Sequence, residues 1–503
     1  MSLDRCTEIV ETNDLTSHIA QSCQLEKMPY PKRVFLIIGS EFCERFCFGT
    51  MKAVLALYLT NHLDYSEDDS TIVFTAFSMA VYFFCIFGGI LSDVWMGKFK
   101  TILVTSIVYA IGTIIVSFSS ITNFIQSPKT TLIIGLLLIS TGSGGIKSAV
   151  SPFGGDQFSV PEQAVQITQF FSMFYLVINL GPLISNVITP VLAHSVHCFG
   201  NDECYPLAFG FPGLLMILAI VLFVCGSCSY TYKELPSENV IVQVVKCITY
   251  AIVKKIRVGR SGPRKKLLDY SLDKYGKSLV NDTRAVIGIF VLYLPLPLFW
   301  TLHTQQGSRW TFQANAMNGD LGFYEITADQ MLVVNPLLIP ILIPLFNYVI
   351  YPLVSKIGIR RPLQKMAIGI ILAAVSFVFA ALVQFRIESL PKKSVHMLWL
   401  IPQYIAMTMA EVMFAITGIT FSYEEAPETM KSVLQAHWQF IDAFGNLILI
   451  IIVQFVKFQS QAYEFLFYAC LLFVDVLLFI VFAHKYKAKA TRDCEKRHAV
   501  LDE

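Results

Sequence analysis

Residues 206–225 read Pro-Leu-Ala-Phe-Gly-Phe-Pro-Gly-Leu-Leu-Met-Ile-Leu-Ala-Ile-Val-Leu-Phe-Val-Cys, an apolar run without a single charge. As a helix at about 1.5 Å per residue it would be ~30 Å long, which matches the hydrocarbon core of a bilayer. A core helix of a soluble protein would show a polar face, and this run has none. Working outward, comparable runs lie near 33–60, 71–92, 101–121, 131–153, 168–192 and 206–230, then near 285–304, 329–352, 364–385, 397–421, 431–456 and 462–484. The bulk composition agrees, with 55% hydrophobic residues, 15% charged residues and a mean hydropathy of +0.59. An ordinary soluble domain is about a quarter charged. The pattern therefore predicts an all-α polytopic membrane protein with twelve transmembrane helices.

A long polar stretch, 231–284, separates the first six runs from the last six. It holds twelve Lys or Arg against five Asp or Glu. Its Val240 to Ile256 portion has the pattern of an amphipathic helix on a membrane surface. The other basic loops are 97–100, 355–365 and the carboxy-terminal tail, and they alternate with loops poor in Lys and Arg. By the positive-inside bias the linker and both termini are expected in the cytoplasm. The expected organisation is a tail over 1–30, a six-helix bundle over 31–230, the linker over 231–284, a second bundle over 285–484 and a tail over 485–503. Basic residues cluster only in the loops between apolar runs, so nucleic acid is not expected as a partner; the expected partner is the lipid bilayer. No cleavable signal peptide is expected, because the first apolar run is too long and too charged. Most of the twelve cysteines lie inside apolar runs. Cys198 and Cys204 instead flank a short polar loop and form a candidate disulfide.

The first run carries the chemistry. It reads Glu41-Phe-Cys-Glu44-Arg45-Phe46-Cys47-Phe48, followed by Lys52. At about 100° per residue these four charges fall on one helix face. Facing lipid, they would oppose insertion by about 10 kcal/mol. They are expected to face a wet cavity and to neutralise one another. An internal salt-bridge staple is the simpler alternative, but it needs two charges and this face has four. Lys147 follows the run Gly142-Ser143-Gly144-Gly145, and Glu41 or Glu44 is its expected partner. Glu411 is an acid inside the tenth apolar run. The first half thus offers net positive charge and the second a carboxylate, an arrangement suited to a small zwitterion. Tyr82, Tyr175, Asn179, Trp300, His303, Gln305, Asn335 and Trp438 are further cavity candidates. No metal cluster, nucleotide loop or nucleophile elbow is present in the pattern, so an enzyme is not expected.

These residues also carry a resemblance. Glu41-x-x-Glu44-Arg45-Phe46 is similar to the first-helix signature of the proton-coupled oligopeptide transporters, within the major facilitator superfamily. Ser143-Gly-Gly-Ile-Lys147, Phe153-Gly-Gly-Asp-Gln-Phe158 and Phe170-Phe-Ser-Met-Phe-Tyr175-Leu-Val-Ile-Asn179 resemble its fourth and fifth helices. Gly89, Asp93, Gly97 and Lys98 match the wider facilitator loop. Gln305 to Trp310 and Met430 to Gln435 look like the intestinal and renal peptide transporters of animals. The resemblance implies a six-plus-six facilitator fold with its solute site between the halves. It implies di- and tripeptides as substrates, protons as the coupling ion, no other cofactor, action as a monomer and residence in the plasma membrane. It places Arg45 and Lys147 near the peptide carboxylate, helped by Tyr82, and Lys52 is counted with them among the substrate-binding residues. Glu411, Asn179 and Asn335 would hold the amino terminus, and Trp300 and Trp438 would line side-chain pockets. Glu41 and Glu44, assisted by His303, would couple protons.

The departures are specific. The signature continues Phe48-Gly49 where the family has tyrosines, and Lys52 stands in place of an arginine. Thr75 occupies the position of a second-span histidine, and Thr304 that of a seventh-span acid. Gly288 and Asn347 replace a charge pair. The loop 387–395 is too short for the large extracellular domain of the animal relatives. Two other readings stay open on the residues alone. One is a related uniporter or carrier of another small zwitterion or anion; the other is a non-transporting peptide sensor.

Overall fold

The computed structural model describes residues 29–121, 126–159, 162–198, 200, 203–233, 240–258, 266–427 and 430–486. Nearly all of the expected tails therefore lies outside the described residues. The first half comprises α1 (Val34–Asn61), α2 (Glu67–Ile90), α3 (Lys98–Ser119), α4 (Pro128–Gly155), α5 (Ala164–His194) and α6 (Tyr205–Cys225). Local chemistry sets their ends. The Ser66 hydroxyl accepts from the Asp69 N–H at 3.0 Å, and three acids fill the first turn of α2, where the helix dipole favours them. A π-turn over Leu91–Trp95 ends α2, and Gly97, at φ +77°, makes the corner into α3. The Gly-rich run of α4 is clamped on both sides. A Cβ at Gly142 would lie 2.7 Å from the Thr105 carbonyl oxygen of α3, and one at Gly144 2.7 Å from that of Val81 on α2. Cys198 and Cys204 are disulfide-bonded, with Cα atoms 5.2 Å apart, across the α5–α6 turn.

The linker helix α7 (Val240–Val258) buries Cys247 and Ala251 against Leu268 and Val280, while Val245, Ile252 and Ile256 stay exposed. The second half follows as α8 (Leu272–Leu292), α9 (Pro297–His303), α10 (Arg309–Asn315), α11 (Val334–Leu345), α12 (Tyr351–Lys356), α13 (Pro362–Glu388), α14 (Ile401–Glu411), α15 (Thr417–Glu425), α16 (Lys431–Phe455) and α17 (Gln461–Lys485).

Ten helical stretches among the described residues are long and apolar enough to cross a membrane. The pair Leu267–Leu292 and Pro297–Asn315, bent by 50°, makes one further crossing. The remaining crossing is α1, whose charges hide it from a composition test although its length of 28 residues suffices. The seventh span is therefore not the single helix 285–304 read from the sequence. Pro295 and Pro297 interrupt it, because neither can donate a backbone hydrogen bond. Within the first half α1 is the central helix, packed along α5 and α6. Between the halves the broadest contact is α2 on α16, and the next is α5 on the segment 328–345.

Candidate functional site

The charged face of α1 is buried in the middle of the first half. Arg45 Nε lies 2.7 Å from Glu41 Oε1 and 2.7 Å from Glu44 Oε2. Glu44 Oε1 also accepts from the Ser143 hydroxyl of α4 at 2.8 Å. All three charged residues are less than a tenth exposed. Three of the four α1 charges thus form the internal staple that the sequence treated as the simpler alternative. The expected partner of Lys147 is a correction. Neither Glu41 nor Glu44 makes an ion pair with it among the described residues. Its Nζ sits 3.7 Å from the centre of the Phe48 ring and 4.9 Å from that of Tyr82. The two acids converge on Arg45, which as an i+4 or adjacent residue on the same helix reaches them first. Lys147 is left with ring faces, whose quadrupoles attract a cation.

A cavity of about 210 Å³ opens beside this cluster, between the halves. One wall carries Phe48 and Lys52 from α1 and Asn179 from α5. The other carries His303, Asn335 and Glu411. Lys52 lies over the Phe48 ring at 5.4 Å and faces the carboxylates of Glu411 and Asp442. Glu411 Oε2 accepts from Asn335 Nδ2 at 2.8 Å and is 3.0 Å from His303 Nε2. A π-turn over Val412–Ile416 begins directly after Glu411, a local irregularity that often marks functional sites. Asn179 lines the cavity while its amide donates to its own helix, to the Tyr175 carbonyl at 2.9 Å.

Trp300 and Trp438 do not line this cavity. They pack edge to face at 6.2 Å and meet Phe414, forming an aromatic layer behind His303. Thr304 bonds back to the Trp300 carbonyl, and the buried Thr75 hydroxyl has no partner among the described residues. At Gly288 an added Cβ would meet open space, and Asn347 is exposed in the π-turn Phe346–Ile350, so the two replaced positions leave room rather than a contact. In the facilitator loop, Lys98 bonds to Asp156 at 2.5 Å, Asp156 also pairs with Lys233, and Asp93 accepts from Ser92. Met430 stands at the head of α16, and the side chain of Gln435 lies outside the described residues.

Several charged groups escaped the sequence reading. Asp442, on α16, is buried and accepts from Asn446 Nδ2 at 2.7 Å. Asp475, on α17, is fully buried, and among the described residues neither of its carboxylate oxygens has a hydrogen-bond partner. Both are acids in apolar runs, the same signal that picked out Glu411. At the end of the bundle away from the linker, Arg309 bonds to Asp68 of the first half and to Glu464, and Lys457 bonds to Asp68. Nearby His194 of α5 lies 3.2 Å from Asp329 of the second half and 3.0 Å from Glu203. Of these links, Arg309–Asp68, Lys457–Asp68 and His194–Asp329 cross between the halves.

A twelve-span helical bundle with a charged cavity held between two groups of six spans defines a facilitator-type membrane transporter. Residues 99–466 match the family described as PTR2, POT family, and the chain belongs to the POT family. It is 33% identical to "Peptide transporter family 1" of Drosophila melanogaster, over 93% of this chain and 89% of that protein. It is 34% identical to "Solute carrier family 15 member 2" of Rattus norvegicus, over 92% and 91%. Those alignments run over 661 and 670 positions, longer than this chain, so both relatives carry insertions that it lacks. Among solved structures, the POT family transporter PepTSo superimposes with a TM-score of 0.78 at 27% identity, covering 91% of this chain and 99% of that one. An auto-inhibited POT family peptide transporter gives 0.77 at 25% identity, over 91% and 98%.

Proposed function

We propose that this protein is a proton-coupled symporter of di- and tripeptides that works by alternating access. One observation carries the reading: the cavity has a lysine on one wall and a carboxylate, bonded to His303 and Asn335, on the other. A zwitterion aligned across it places its carboxylate toward Lys52, with Arg45, Lys147 and Tyr82 behind. Its amino group then meets Glu411, Asn335 and Asn179. Free peptides have this end-to-end charge separation, and the relatives are named as peptide transporters. Trp300 and Trp438 would shape the wall behind the site as side chains of different size enter. Glu41 and Glu44, with His303, are the proton-coupling groups in this reading. Two acids sharing one arginine hold an excess negative charge that a proton can neutralise.

The basic linker and the loop 97–100 support a cytoplasmic position for the linker end and both termini. The far end, tied shut by ion pairs, is then the outer face, and the conformation is the one that releases solute inward. The plasma membrane is the proposed location, with a monomer as the working unit. The test is uptake of a labelled dipeptide into proteoliposomes, with and without an inward proton gradient and an inside-negative potential. Gradient-driven accumulation, blocked by unlabelled di- and tripeptides but not by free amino acids, is expected. Equilibration indifferent to the gradient, or binding without flux, overturns the reading. In the same assay Glu44→Gln should abolish accumulation while preserving exchange of peptide for peptide.

A further inference from the structure

Lys52 and Lys147 of the first half have no carboxylate at contact distance among the described residues. Their acids stand across the boundary between the halves. Asp442 is the one placed to answer both. It lies on α16, which makes the broadest contact with the other half through α2. The groups that face its carboxylate are Lys52 from α1, Tyr82 and Cys85 from α2, Lys147 from α4 and His303 from α9. Tyr82, whose ring carries Lys147 Nζ at 4.9 Å, lies on the facing α2, and Asn446 donates to the Asp442 Oδ1 at 2.7 Å from one turn away on the same helix. Charge counting around the cavity is instructive. Glu41, Glu44, Glu411 and Asp442 supply four negative charges; Arg45, Lys52 and Lys147 supply three positive ones. With His303 neutral the cluster is one proton short of neutrality, and unbalanced charge inside a membrane is costly.

We propose that Asp442 is a proton-carrying residue of this transporter, loaded when a peptide carboxylate draws Lys52 and Lys147 away from it. The inference rests on the peptide-symport reading above. The exchange balances. The entering carboxylate replaces Asp442 as the counter-ion of the lysines, and one proton from solution binds the Asp442 oxygen that they released. A zwitterionic peptide and one proton then cross together with the cluster neutral. On the return of the empty carrier the lysines face Asp442 again and the proton leaves. Because Asp442 lies on α16, which makes the broadest contact with the other half, its protonation also changes the charge at a surface that the rocking of the halves must alter.

The experiment compares wild type, Asp442→Asn and Asp442→Glu in proteoliposomes for gradient-driven accumulation and for peptide counterflow. With one proton per peptide, each pH unit of gradient supports about tenfold accumulation. Asp442→Asn is expected to lose this factor while keeping counterflow, and Asp442→Glu to restore it. Asp442→Asn that accumulates peptide like wild type overturns the proposal. So does equal loss of counterflow and accumulation that Asp442→Glu fails to rescue, since that is the signature of a structural role. A second arm needs no peptide. The infrared carbonyl band of a protonated carboxylic acid is followed against pH in the full chain. A titrating band present in wild type and missing from Asp442→Asn supports the proposal even if the protein carries some other solute; an unchanged band overturns it. Should Asp442→Asn fold poorly, Asn446→Leu serves. Removing the 2.7 Å hydrogen bond that Asn446 gives to the charged form should move the pH profile of the uptake to higher pH, and an unmoved profile overturns the proposal.

Discussion

The two ends of the bundle use the same kinds of charged residue in opposite ways. At the linker end, Lys98 and Lys233 pair with Asp156, Lys254 with Asp273, and Arg284 with Asp269. None of these pairs joins a span of the first half to a span of the second. At the far end, Asp68 joins Arg309 and Lys457, and His194 joins Asp329, each pair crossing from one half to the other. Pairs inside a half brace it as a rigid body. Pairs between halves must break whenever that end opens. The difference teaches which end is being held shut, and it makes the far-end pairs parts of a gate.

The strongest way to break the comparison is at Arg309. It is buried beside Glu464, which also accepts from Tyr468 at 2.7 Å. Arg309→Gln leaves a buried carboxylate without its cation, and the expected cost is about 3–5 kcal/mol. Thermal unfolding in lipid nanodiscs should show a clear drop, and an unchanged transition would mean that the pair is not buried in the working protein. Asp68→Asn removes the gate contacts to Arg309 and Lys457 from a partly exposed site. Its expected effect is about 1 kcal/mol, enough to shift the balance of open and closed forms about fivefold. Spin labels at Asn61→Cys and Tyr463→Cys, on opposite halves at that end, should report a larger population at long distance. No change in the distance distribution would assign the closure to apolar packing instead.

The smallest effect is expected at Glu203. The hydrogen bond from His194 holds its carboxyl below the ordinary value of 4.5. A depressed carboxylate contributes its stability above that ordinary value and loses it only as the pH falls through the lower, folded-state value. The Glu203 side of the gate therefore does not titrate between about pH 7 and pH 5. Glu203→Gln should leave the pH profile of uptake unchanged in that window and cost under about 1 kcal/mol, since the pair is partly exposed. A profile that moves would relocate part of the proton response from the cavity to the gate.

Much of the fold was legible because the bilayer demands long apolar helices, and interruptions in them stand out. The α1 charges and Glu411 were visible for that reason. Asp442 and Asp475 carry the same signal, an acid inside an apolar run. Partner choice was not legible. Nothing in the spacing of Glu41, Glu44 and Arg45 says that both acids turn to the arginine and leave Lys147 against two rings. The gate was beyond reach for a different reason. Asp68 and Arg309 are 241 residues apart, and only the packing of α2 against the second half brings them together. Pro295 and Pro297 were plain to see, yet the span was read through them, because composition registers how apolar a segment is and not whether it is continuous.

That interruption has a mechanical meaning. An unbroken seventh span would be a rod, carrying any displacement at Arg309 straight down to the linker. With a 50° elbow in the middle, the piece bearing Arg309 and the piece leading to the linker are separate levers on a shared pivot, and His303 sits next to that pivot. The two doors of the carrier can then move in sequence rather than at once, with whatever occupies the cavity deciding the order.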